Sequence, residues 1–98
     1  MEAIPVQFRA FGNGDVIAVF PTSLGTADSS TCSSYMHVGQ HASCSAYGIV
    51  QATRLATPAE YDGLRRELEA IGYTLRICKR VSRSMHATRI AELKRWMA

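Results

Sequence analysis

The stretch that decides the fold is VQFRAFGNGDVIAVFP, residues 6–21. Apolar and polar side chains alternate over residues 6–11, which predicts a strand with Val6 and Phe8 on one face and Gln7 on the other. Ala10 shares the face of Val6 and Phe8, and Arg9 shares the face of Gln7.

The rest of the stretch predicts a hairpin. Residues 12–15, Gly-Asn-Gly-Asp, tolerate the positive φ values of a tight turn. Residues 16–20 are apolar throughout, as in a strand that is covered on both faces. Pro21 ends this strand because proline cannot donate a hydrogen bond to a neighbouring strand.

A second local signal lies at Thr57-Pro58-Ala59-Glu60. Thr57 fits the cap of a helix, Pro58 fits its first turn, and Glu60 can complete a capping box. Gly72 fits the left-handed geometry with which helices often end. Between them an apolar stripe repeats at helical spacing: Tyr61, Leu64, Leu68 and Ile71.

The remaining elements have weaker patterns. A short third strand is predicted from Tyr35 to Val38, and another strand from Tyr73 to Ile77. Residues 45–55 are open to two interpretations: a short helix capped by Ser45, which is favoured, or an extended segment from Tyr47 to Val50. A last helix opens at Ser82 or Ser84, and its core stripe would be Met85, Ile90, Leu93 and Met97.

The order of elements predicts one α+β domain over residues 1–98. It would have a small antiparallel or mixed sheet, built from the N-terminal hairpin and later strands, with two helices packed on one face. Ninety-eight residues suffice for one modest core. No apolar run reaches the ~20 residues of a membrane span, and the N-terminus lacks the pattern of a secretory signal, so a cytoplasmic protein without membrane partners is expected.

The segment from Cys32 to Cys44 concentrates reactive side chains, with two cysteines and two histidines. Three interpretations are open. In the favoured one, the segment forms a polar rim that contacts a partner through Tyr35, His37, Gln40 and His41. In the second, a zinc ion is held by Cys32, His37, His41 and Cys44, although their spacing matches no common zinc motif. In the third, a Cys/His hydrolase pairs Cys32 or Cys44 with one of the histidines. The favoured interpretation needs no cofactor and no catalytic residue.

Positive charge is concentrated near the C-terminal end. Residues 76–95 contain seven basic side chains and one acidic one, Glu92. This excess predicts a positive surface for a polyanionic partner, made by Arg76, Lys79, Arg80, Arg83 and Arg89 with Lys94 and Arg95. The alternative interpretation is a solvated helix face that keeps the protein soluble. Trp96 is expected to be a core anchor of the last helix, because large apolar side chains are mostly buried.

The segment Ser34-Tyr35-Met36-His37-Val38-Gly39-Gln40-His41, together with residues 14–21 and 56–61, resembles a group of small uncharacterised proteins of bacterial phages, plasmids and integrated mobile elements. In that group the tyrosine and both histidines recur whereas the cysteines do not, which weakens the zinc interpretation. The resemblance implies a binding protein of a mobile element that engages nucleic acid or a host nucleoprotein complex, for example as an inhibitor of host defence similar to an anti-CRISPR protein.

Overall fold

The structure, a computed structural model, describes residues 3–37 and 41–97. The elements in chain order are β1 (Ile4–Ala10), β2 (Val16–Phe20), β3 (Thr31–Tyr35), β4 (His41–Ser45), α1 (Gly48–Ala52), β5 (Arg54–Leu55), α2 (Pro58–Ile71), β6 (Leu75–Ile77) and α3 (Arg83–Met97). The predicted α+β class, with a small sheet and two long helices, is confirmed.

The sheet is built around β1. Its strand order is β4-β3-β2-β1-β5, and β6 also pairs with β1. All pairs are antiparallel except β1–β6, which is parallel. The predicted hairpin is formed, with Phe8 opposite Ala18 in the register and Gly14 at a φ of 93° in the turn.

The third strand differs from the expectation. It was predicted from Tyr35 to Val38, but β3 ends at Tyr35, and Val38 lies outside the described residues. Residues 31–35 read Thr-Cys-Ser-Ser-Tyr, which has little apolar alternation, so this strand depends on its neighbours β2 and β4. The helix expected within residues 45–55 is the short α1.

The two faces of the sheet are covered by different helices. The first face packs Val6, Phe8 and Phe20 against Leu64 and Leu68 of α2. The second face packs Ile17, Val19 and Cys32 against Ile49 of α1.

The last helix lies on the second face. His86 of α3 lines one cleft together with Gln7 and Arg9, which point away from the face that α2 covers. The expectation that both long helices pack on one face is therefore wrong in this respect. The reason is that both faces of β1 and β2 are buried, so each face needs its own cover.

The core stripe predicted for α3 is only partly correct. Met85 and Leu93 are half-buried, but Ile90 and Met97 are exposed, and the buried residue of the helix is Arg89. Trp96, expected in the core, is 76% exposed. The start of the helix was predicted correctly, since the hydroxyl of Ser82 accepts a hydrogen bond from the backbone N–H of Met85 at 3.3 Å.

The start of α2 has the predicted capping box. The Thr57 hydroxyl accepts from the Glu60 N–H, and the Glu60 carboxylate accepts from the Thr57 N–H at 2.9 Å. Arg54 also donates two hydrogen bonds to this carboxylate, which ties β5 to the helix. Gly72 ends the helix with a φ of 122°. No helix in the described ranges is long and apolar enough to cross a membrane.

Thr57→Ala is expected to lower the free energy of unfolding by ~1 kcal/mol, because the cap bond is lost. For a domain of this size that corresponds to a melting temperature lower by about 4–8 °C, measured by circular dichroism. Thr74→Ala, at an exposed position outside any helix, is the matched control. Equal melting curves for the two variants would contradict the role of the cap.

The pKa of Glu60 gives a second test of this cap. Hydrogen bonds from Arg54 and from the Thr57 backbone lower its pKa from 4.5 to about 2. The ionised carboxylate therefore stabilises the fold fully above pH 4.5, and this contribution is lost as the pH falls from 4.5 toward 2. Glu60→Gln should lose stability at neutral pH and show a smaller further loss over this acid range, measured by urea unfolding at several pH values. A parallel acid loss in both proteins would contradict the assignment.

Candidate functional site

The predicted polar rim is partly a structural element. Tyr35, the last residue of β3, is fully buried, and its hydroxyl donates to the Glu67 carboxylate of α2. Tyr35 is therefore not available to a partner, which corrects the prediction. His37 Nδ1 lies 2.7 Å from the other oxygen of Glu67, and His37 itself is exposed. Gln40 lies outside the described residues.

His41 packs beside Tyr35, and together with His37 and Glu67 they form one polar group. Its ring lies edge-on to Tyr35 with centroids 4.6 Å apart, and its Nε2 is 3.2 Å from the Tyr73 hydroxyl. The group thus joins β3, β4 and α2 by polar contacts on the first face. His37 and His41 remain exposed on it, so of the predicted rim residues in the described ranges these two can still reach a partner.

The zinc set is not brought together. Cys32 and Cys44 lie opposite each other on β3 and β4, and Cys32 belongs to the second face. His41 lies opposite Tyr35, on the first face, and His37 contacts Glu67 of α2. A tetrahedral ion would need all four side chains on one side of the sheet. The described residues contain no group of three or more His, Cys, Asp or Glu side chains placed to hold a metal.

Because of the same separation, neither cysteine forms the predicted Cys/His hydrolase pair with His37 or His41. A thiolate–imidazole pair needs its two side chains within hydrogen-bond reach. Cys32 and Cys44 lie on the face opposite the ring of His41, and the His37 ring is held at Glu67.

Arg89 does not belong to the exposed basic surface that was predicted. It is 0% exposed. Its Nε donates to the Ser29 carbonyl at 2.9 Å, one terminal nitrogen donates to the Pro21 carbonyl at 2.8 Å, and the other lies 2.9 Å from His86 Nδ1. Arg89 therefore ties α3 to the segment that leaves β2.

The other six basic residues are exposed as predicted: Arg76, Lys79, Arg80, Arg83, Lys94 and Arg95. Lys79 and Arg80 lie in the connection from β6 to α3, and Arg83 begins the helix. The connection is held against the sheet by Gln7 of β1, whose amide donates to the Lys79 carbonyl at 3.1 Å.

A cleft of about 440 Å³ lies between this connection and α1. Its floor is formed by Gln7 and Arg9, and its rim carries Lys79, Arg80 and Tyr47. The described residues that line it include no carboxylate, so the cleft is positive. Arg9 is fixed by Thr53, whose hydroxyl and carbonyl accept hydrogen bonds at 2.7 and 2.9 Å. Burial lowers the pKa of Arg9 below its ordinary value, but a guanidinium stays charged in proteins.

An aromatic platform stands at the rim of the cleft. The Tyr47 ring stacks on the His86 ring with centroids 5.0 Å apart and an interplanar angle of 17°. Burial, and then the charge of Arg89, lower the pKa of His86, which favours the neutral form of its ring. Tyr47 itself is 55% exposed. The site can therefore accept a flat aromatic group on Tyr47 while Lys79 and Arg80 bind an anion.

Tyr47, His86 and Arg9 were not identified from the sequence as site residues. The one available signal was the pair of polar residues, Gln7 and Arg9, in a strand whose neighbours are apolar. It indicated a polar contact on the second face, but it did not indicate which segments of the chain would pack there.

Comparison with protein families, with curated proteins and with solved structures finds no match to this chain.

Arg89→Met is expected to lower the free energy of unfolding by about 2–4 kcal/mol, because the buried carbonyl of Pro21 and the partly buried carbonyl of Ser29 lose their donor. Arg83→Met, an exposed arginine of the same helix, should change it by less than about 0.5 kcal/mol. Urea unfolding measures both. Similar values for the two variants would show that the Arg89 contacts contribute nothing to stability.

Proposed function

We propose that this protein acts by binding nucleic acid, free or within a nucleoprotein complex, and does not catalyse a reaction on it. The observation that carries the proposal is the cleft in which an exposed, stacked tyrosine stands beside Lys79 and Arg80 and above Arg9. A stacking ring next to cations is the combination with which proteins bind unpaired bases and the phosphates that join them.

The geometry favours single strands over duplexes. In a duplex the bases stack on one another, so a tyrosine at the rim of a cleft reaches only their edges. The bases of a single strand are free to stack on Tyr47, while their phosphates extend toward the cations of the β6–α3 connection. Lys94 and Arg95, at the other end of α3, provide further positive charge along the same helix.

The resemblance to small proteins of phages and other mobile elements supports a role for this binding activity against host defence. A binder of single-stranded nucleic acid encoded by such an element would engage RNA or DNA that is exposed in a host-defence complex. His37 and His41 lie on the opposite face of the sheet from the cleft, so they would contact a second component of such a complex.

The affinity for labelled single-stranded RNA and DNA oligonucleotides tests the proposal, with fluorescence anisotropy measured at several salt concentrations. Each neutralised phosphate contact should contribute about 0.7–0.9 to the slope of log affinity against log salt. Tyr47→Ala should weaken binding by about 1–3 kcal/mol, the value of one stacked base. That is roughly 5- to 150-fold. Tyr47→Phe keeps the ring and should bind nearly as the parent does.

Two matched charge reversals locate the surface. Arg80→Glu should weaken binding and reduce the salt slope, because it removes a cation of the cleft. Arg66→Glu makes the same change on α2, across the sheet, and should leave binding unchanged. Equal loss in both variants, or no binding at low salt, would contradict the proposal. Pull-down from bacterial lysate with and without nuclease distinguishes a nucleic acid from a protein ligand.

A further inference from the structure

The two cysteines of β3 and β4 form a pair that the binding function does not use. Cys32 and Cys44 are directly opposite in the register, both are free thiols, and their sulfur atoms are 3.5 Å apart. They differ in access. Cys32 is fully buried, whereas Cys44 is partly exposed. Cys44 is thus the more accessible of two neighbouring cysteines.

The surroundings favour a thiolate on Cys44. Its pKa is lowered by a hydrogen bond from the Cys32 thiol, by one from the Ser34 hydroxyl and by the charge of Arg89, against the opposing effect of burial. The pKa of Cys32 is raised by its hydrogen bond to Cys44 and by burial. Cys32 therefore stays protonated and donates to its neighbour.

Arg89 matters here because its own partners are uncharged. In the described part of the chain it donates to two carbonyls and contacts a histidine nitrogen. No carboxylate in the described ranges forms an ion pair with it, so its positive charge is not neutralised by contact. A buried cation without a counter-charge stabilises a nearby anion, and a thiolate on Cys44 is such an anion.

We infer that Cys44 and Cys32 form a thiol–disulfide exchange site, with Cys44 as the attacking thiol, Cys32 as the resolving thiol and a low-molecular-weight disulfide as the substrate. In the first step the Cys44 thiolate attacks one sulfur of the small disulfide. A bond forms between Cys44 and that sulfur, and the other half leaves as a thiolate that takes a proton from water.

In the second step Cys32 gives its proton to water and its sulfur attacks the Cys44 sulfur. The Cys32–Cys44 bond forms, the bond between Cys44 and the second half of the substrate breaks, and that half leaves as a thiolate that takes up a proton from water. Two electrons pass from the two protein thiols to the small disulfide, which is reduced to two thiols. The protein reacts once and is restored by a reducing thiol.

The position of the pair makes this bond reversible. Directly opposed residues of antiparallel strands have Cβ atoms about 4.5–5.5 Å apart, whereas a relaxed disulfide prefers about 3.8 Å. The two strands must therefore close slightly when the bond forms, and such a bond is more readily reduced than a structural one.

Oxidised glutathione is the probe, and the full chain carrying Cys78→Ser is the starting protein, because Cys78 is the third free thiol. After incubation at pH 7 and removal of the probe, intact-mass analysis should show the loss of two hydrogens without a lasting adduct. Adding Cys32→Ser should trap one glutathione per chain on Cys44. Adding Cys44→Ser should slow the reaction at least about tenfold, because the remaining thiol is buried and protonated.

Three outcomes would overturn the inference: no change in the mass of the starting protein, an equal reaction rate in the Cys44→Ser protein, or no adduct on the Cys32→Ser protein. Circular dichroism shows whether the Cys32→Ser chain folds. Cys32→Ala replaces it if the hydroxyl is not tolerated in the core, and the same adduct on Cys44 is then expected. Peptide mapping assigns the modified residue in each case.

Discussion

The rest of the structure depends on the burial of β1 on both faces and its pairing along both edges. It bonds to β2 on one side and to β5 and β6 on the other. Its first face is apolar, and α2 can cover it by simple packing. Its second face carries Gln7 and Arg9, and buried polar groups are costly unless they find partners. Their partners are the Lys79 carbonyl and Thr53, so two chain segments are drawn onto this face by hydrogen bonds.

The proposed nucleic-acid cleft is a result of this arrangement. The side chain of Gln7 bonds the backbone of the β6–α3 connection, which leaves the Lys79 side chain exposed. Arg9 fixes the end of α1, the helix that Tyr47 precedes. A central strand with apolar residues in both places would pack more tightly against its cover and would leave less space for a ligand. Stability and the proposed binding therefore depend on the same two side chains.

The parts of this fold that could be predicted from the sequence are those whose cause is local. Thr57 and Glu60 are three residues apart and complete each other's hydrogen bonds, and the turn at Gly14 is set by its own backbone. The role of Arg89 could not be predicted, because its acceptors lie some sixty residues earlier in the chain, at Pro21 and Ser29. An arginine among basic neighbours gives the same pattern whether it is exposed or buried.

The candidate site shows the same division. The exposed cations of the β6–α3 connection were predicted from charge alone, since a local excess of charge is mostly solvated. The Tyr47 platform was not predicted. Its stacking partner is His86 of α3, and the sequence analysis expected this helix on the other face of the sheet. The burial of Tyr35 and the separation of the alternative zinc ligands onto two faces could not be predicted for a related reason. Proximity in sequence says little about which side of a sheet two side chains occupy when a turn lies between them.

The parallel pairing of β1 with β6 has a consequence for how the chain folds. Ile4 lies opposite Leu75, so one edge of the first strand is completed by residues that follow α2. The hairpin of β1 and β2 can form early, but until β5 and β6 arrive its outer edge presents unpaired backbone groups to other chains. Contacts between such distant residues form slowly, because a long loop must close first. During synthesis on a ribosome, the most aggregation-prone interval of this protein would thus fall between the emergence of the hairpin and that of β6.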